Sequence, residues 1–213
     1  MHNRIDIVRP DAPSLAARGQ HPVGVTTHDI TIYAGRTLTT EIWYPACADT
    51  EPGIGYDTLI RDGLAPTILH GSACRNARPA QGIAPLIVIS HGYPGNRYLL
   101  AHLAESLAAK GYVVAAPDHA GSTYQDQQPF EVTLVHRPLD QRGVIDGMAE
   151  LGGELGALVN CEKVGLIGYS MGGYGAVISA GGGVTQTAVD YAWGGPHGTL
   201  GVHLSGSDTH NAL

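Results

Sequence analysis

Three short apolar runs constrain this chain most: Leu86-Ile87-Val88-Ile89, Tyr112-Val113-Val114-Ala115-Ala116 and Val164-Gly165-Leu166-Ile167. A strand with one wet face alternates apolar and polar residues. A strand without alternation is buried on both faces, as in a parallel sheet covered by helices. Between the first two runs, Leu99, Leu103 and Leu107 recur every four residues beside Leu100 and Ala104. That spacing predicts a helix, with Asn96 as its cap and Gly111 as its stop. A polar loop is expected up to Pro138, a weaker helix over 139–158, and a further helix from Met171 to about Ala180. Strand and helix in alternation predict βαβ units and a parallel sheet.

Upstream, Ile30 and Ile32, then Leu38, Thr40 and Ile42, alternate around Ala34-Gly35, which predicts an antiparallel hairpin. Residues 1–24 read as an extended arm and 46–84 as an irregular excursion. Residues 181–213 read as an irregular tail, with Leu200-Gly201-Val202-His203-Leu204 as the best candidate for another strand. The 213 residues suffice for one domain, with the hairpin and βαβ core over 25–180.

The net charge of −7 and the lack of any basic run argue against a nucleic-acid partner. No apolar run approaches the ~20 residues of a membrane span, and Met1 to Gly24 has no signal-peptide core. Cys47, Cys74 and Cys161 are too widely spaced for a disulfide framework or a zinc knuckle. They read as thiols of a reducing, cytoplasmic compartment.

The chemistry centres on Gly168-Tyr169-Ser170-Met171-Gly172, between a predicted buried strand and a predicted helix. That context is what a nucleophile elbow requires. The glycines let the turn close, Ser170 is lifted above the sheet, and the helix N-terminus favours developing negative charge. Ser90-His91-Gly92-Tyr93 follows the first buried run and fits the loop that completes an oxyanion hole. The expected donors are the amides of Tyr93 and Met171. His91 reads as structural, Asp118 and His119 as braces of their loop, and Arg97, Arg137 and Arg142 as solvated surface.

The chain resembles the predicted dienelactone hydrolases related to platelet-activating-factor acetylhydrolases. The matching blocks run in order through Arg9–Pro13, Pro22–Val25, Trp43–Ala46, Ser90–Arg97, Ala116–Tyr124, His136–Asp140 and Gly168–Gly175. The resemblance implies an α/β-hydrolase fold, hydrolysis of a small-molecule ester, and no metal or organic cofactor. Dienelactone hydrolases use cysteine as nucleophile; Ser170 stands there in this chain, which favours the esterase-like branch.

A serine nucleophile needs a base and an orienting acid, which in this fold follow it in the order Asp, His. Only 43 residues follow Ser170. The expectation is therefore an α/β-hydrolase fold, mostly parallel with an N-terminal hairpin and incomplete at the C-terminus, whose acid and base lie beyond Leu213. The alternative is that Asp190 serves with one of His197, His203 or His210. These histidines lack the spacing of a helical metal site. The rival functional reading is a catalytically inactive fragment or binding module.

Overall fold

A computed structural model describes residues 16–60, 65–191 and 200–203. The hairpin forms as expected: β1 (Val23–Thr31) and β2 (Thr37–Pro45) run antiparallel around a turn in which Ala34 and Gly35 have positive φ, 55° and 70°. The apolar runs become β6 (Ala84–Ser90), β7 (Val113–Pro117) and β8 (Val159–Gly168), with β6 parallel to both others. With the short β5 (Cys74–Arg75), the sheet order is β5-β1-β2-β7-β6-β8.

Alternate residues of the central strands enter opposite cores. Ile87, Ile89, Val114 and Ala116 pack beneath α1 (Ala101–Ala109). Leu86, Val88, Val113 and Ala115 pack with Val144 and Met148 of α2 (Phe130–Ala149) and with α3 (Gly153–Leu158). Burial on both faces is why these strands show no alternation in the sequence. The helix after the elbow is α4 (Met171–Ser179), which packs on β8 and α2.

Several expectations are corrected. Residues 46–84 are not wholly irregular. They carry β3 (Ile54–Leu59) and β4 (Pro66–Gly71), an antiparallel pair held to α1 by the buried Glu105 carboxylate. That carboxylate accepts from the Tyr56 hydroxyl at 2.6 Å and the Ser72 amide at 2.8 Å. Leu100, not Asn96, is the N-cap of α1; the Asn96 side chain accepts from the Tyr98 amide in the preceding turn and donates to Thr58 and Leu59. The helix expected from 139 begins at Phe130 and carries Pro138 inside it. Leu200–His203 is a short helix, α6, rather than a strand, and Gln186–Asp190 forms α5. No helix among the described residues is long and apolar enough to cross a membrane.

The helix α2 reaches the hairpin because two glycines, Gly143 and Gly147, face it one turn apart. A Cβ at Gly147 would lie 2.3 Å from Ile30 Cγ2. Alanine has the better helix propensity by ~1 kcal/mol, yet overpacking here should outweigh it. Gly147→Ala is expected to destabilise the fold by about 1–3 kcal/mol, read as a lower urea midpoint. An unchanged or raised midpoint would show that this helix–hairpin contact can relax.

Candidate active site

The strand β8 delivers its chain into a turn that only glycine can flank. A Cβ at Gly168 would sit 2.1 Å from the Gly172 carbonyl oxygen, and one at Gly172 would sit 2.0 Å from the Ser90 carbonyl oxygen. Between them Ser170 has φ 53° and ψ −118°, a strained conformation for a residue with a side chain. Ser170 is exposed at the N-terminus of α4, and its side chain makes no capping hydrogen bond. The hydroxyl is thus presented to solvent at the positive end of a helix.

The loop after β6 lies against this turn. A Cβ at Gly92 would come within 3.1 Å of Ser170 Cβ and 3.2 Å of the Tyr169 ring. The Tyr169 amide donates to the Ser90 carbonyl at 3.0 Å, which ties the two loops together. Among the described residues, the amides of Tyr93 and Met171 have no hydrogen-bond acceptor. Tyr93 and Phe130 meet edge to face at 5.3 Å, beside Met171 and Leu134.

Beneath the loops runs a buried polar chain that the sequence reading missed. Ser90, His119 and Asp140 are 0%, 1% and 1% exposed. Ser90 Oγ lies 2.8 Å from His119 Nε2, and His119 Nδ1 lies 3.1 Å from Asp140 Oδ2. This is a Ser–His–Asp arrangement in the order of a serine-hydrolase triad, set where β6 approaches the elbow. Asp140 also accepts from Arg36 at 2.7 Å, and Arg137 Nη1 lies 3.4 Å from Ser90 Oγ. Burial pushes Asp140 up to about 6, against the pull of Arg36, His136 and Arg137. Its carboxylate faces two partners, Arg36 and the His119 ring. His119 then donates through Nδ1 and accepts from Ser90 through Nε2.

Arg137 is not solvated surface. It is 1% exposed and donates to the His91 carbonyl, and burial pulls it down to about 10. One turn on, Gln141 Nε2 donates to the Gly172 carbonyl at 2.9 Å. Arg97 pairs with Asp118, which braces its loop, whereas Arg142 is exposed as expected. No histidine or carboxylate among the described residues hydrogen-bonds Ser170. Asp190 is exposed and accepts from Gln186, and His203 stands close enough to His136 to lower it. His197 and His210 lie outside the described residues. Among the described residues, no group of three His, Cys, Asp or Glu side chains could hold a metal ion.

Burial pushes His119 well below its ordinary value, with Arg137 and Arg36 adding to the effect. A group depressed in the folded state contributes stability that is full above its unfolded value near 6.5 and lost as pH falls. Asp140, raised, acts with the opposite sign: its contribution is lost as pH rises through about 6. The variant His119→Asn keeps a donor toward Asp140 but removes the titrating ring. Between pH 7 and 5 the wild type should lose stability more steeply than this variant, by up to about 1.4 kcal/mol per pH unit. Urea unfolding at several pH values reads the difference; parallel profiles would mean that His119 is not held neutral.

Residues 85–181 match the family model described as alpha/beta hydrolase fold. Among solved structures, the chain is similar to a ferulic acid esterase from Streptomyces cinnamoneus, at 28% identity and a TM-score of 0.61. The similarity covers 80% of this chain and 57% of that one, so the chain spans a little over half the esterase's length. No curated protein matches it. The chain has an α/β-hydrolase fold, related to esterase-type members of that superfamily.

Proposed function

We propose that the protein is a serine hydrolase acting on carboxylic esters through an acyl-enzyme on Ser170. The observation that carries this reading is the conformation of Ser170: exposed, strained at φ 53°, and seated between β8 and the N-terminus of α4. Ser170 Oγ attacks the ester carbonyl and its proton passes to a base. The oxyanion is held by the amides of Tyr93 and Met171. The alcohol leaves, and water then releases the acid from Ser170. The candidate bases are His197, His203 and His210, which follow Ser170 in the order this fold uses.

The motif blocks favour the esterase-like relatives of dienelactone hydrolases and platelet-activating-factor acetylhydrolases as the branch. The aromatic pair Tyr93–Phe130, edge to face beside Met171, offers an apolar surface. The solved neighbour is named for ferulic acid esters, so aromatic acyl esters are the first substrates to try. Cys47, Cys74 and Cys161 are unpaired, which suits a reducing compartment such as the cytoplasm.

A second reading takes Ser90 as the nucleophile, because Ser90 already has its histidine and aspartate. Its complete burial weighs against it: a substrate carbonyl cannot reach a hydroxyl that is 0% exposed. A fluorophosphonate probe separates the two. Label mapped by mass spectrometry should fall on Ser170 and vanish in Ser170→Ala. Label on Ser90 would overturn the Ser170 assignment in favour of the second reading.

The loop position can be tested as well. In protein that turns over p-nitrophenyl esters, Gly92→Val should lower kcat by about a hundredfold, the scale of one lost oxyanion donor. Wild-type kcat in that variant would remove the loop from the oxyanion hole.

A further inference from the structure

The histidine of the loop after β6 has both ring nitrogens committed to backbone. His91 is 2% exposed, and its Nδ1 lies 2.7 Å from the Gly92 carbonyl oxygen. Its Nε2 accepts from the His119 amide at 3.1 Å. A carbonyl can only accept and a backbone amide can only donate, so the partners fix the tautomer: Nδ1 carries the proton and Nε2 is bare. Gly95 leaves room for the ring; a Cβ there would lie 2.7 Å from Nδ1. Arg137 holds the same residue from behind, through the His91 carbonyl.

The Gly92 carbonyl belongs to the peptide unit whose N–H is that of Tyr93. The unit is planar and trans, so its C=O and N–H point in opposite directions. Pinning the carbonyl to the ring turns the Tyr93 N–H away from it and fixes its line. A hydrogen bond to the carbonyl also polarises the amide and makes its N–H the stronger donor. We propose that His91 is a positioning residue for ester hydrolysis, whose Nδ1–H bond to the Gly92 carbonyl aims and strengthens the Tyr93 amide beside Ser170. This rests on Tyr93 being an oxyanion donor, as proposed above.

Burial, the neighbouring His119 ring and Arg137 all depress His91 well below its ordinary value, so the neutral form persists. The ring also packs edge to face on His119 at 5.0 Å. A purely structural histidine would use both bonds equally to hold the loop. A positioning histidine depends on the Nδ1 bond, and two amide variants separate these roles. The Asn side-chain nitrogen falls near Nδ1 and can still donate to Gly92. The Gln side chain reaches the Nε2 place and can still accept from His119.

The experiment compares His91→Asn and His91→Gln with the wild type. Long-range ¹H–¹⁵N spectra of the wild type should show Nδ1 protonated; an Nε2-protonated ring would overturn the proposal without reference to any variant. The Tyr93 amide resonance should move in His91→Gln and stay near its wild-type place in His91→Asn. In turnover, His91→Gln should lose about tenfold or more in kcat with KM nearly unchanged, and His91→Asn should recover most of it. Equal loss in both variants, in step with lower melting temperatures, would reduce His91 to a structural role. A Tyr93 amide that shifts as expected in a protein that neither turns over esters nor labels at Ser170 would sink the esterase reading and leave the His91 geometry standing.

Discussion

The site depends on one close approach of backbone to backbone. Gly172 at the start of α4 lies so near the carbonyls of Ser90 and His91 that a single added carbon would fall 2.0 and 2.8 Å from their oxygens. This contact sets the separation between the elbow and the loop after β6, and so between Ser170 and the Tyr93 amide. No side-chain packing could hold two backbones at that distance. The approach is maintained instead by hydrogen bonds on either side of it: Tyr169 N–H to the Ser90 carbonyl, and Gln141 to the Gly172 carbonyl. The strain at Ser170 persists because its neighbours are fixed in this way.

The polar chain below the loops is the second constraint. Arg137, Ser90, His119, Asp140 and Arg36 form one line of donors ending on a single carboxylate. Buried charge is costly unless every member finds a partner. Here the partners come from β2's flanking turn, β6, the loop after β7, and α2. The line therefore works as a specificity device: it is satisfied only when these four segments meet in one register. The same line sets Arg36 and His119 against the Asp140 carboxylate, and the pull of Arg36 opposes the upward push of burial. Burial first, and then the guanidiniums of Arg137 and Arg36, hold His119 well below its ordinary value.

The strands were legible because their physical situation is simple. β6 and β7 are buried on both faces and show unbroken apolar runs; the hairpin shows alternation and a turn with positive φ. The elbow was legible because tight backbone approach demands glycine at fixed offsets from Ser170. What could not be read was α2. Its buried face includes Glu131, Arg137, Asp140 and Gln141, so burial along it does not follow hydrophobicity. Pro138 inside the helix added a false boundary. Arg137 looked like surface for the same reason: its partners are the carbonyl of His91 and the hydroxyl of Ser90, nearly fifty residues away in sequence. The link of His119 to Asp140 likewise joins residues 21 apart with no motif between them. The one available signal was positional, since His119 follows a buried strand on the edge where ligands bind.

Support for the elbow is also lopsided. β6 pairs with β8 along its inner side up to Gly168, α2 reaches Gly172 through Gln141, and α2 again reaches the His91 carbonyl through Arg137. On the outer side, β8 is the last strand of the sheet among the described residues, and Val164 and Tyr169 are exposed. The position of Ser170 is thus fixed from β6 and α2. Arg137 and Gln141 stand four residues apart on one helix face, so α2 holds the loop after β6 and the elbow from the same side. The glycines Gly143 and Gly147 seat the same helix closely on the hairpin. The hairpin at one end of the sheet and the elbow at the other are in this way coupled through a single helix.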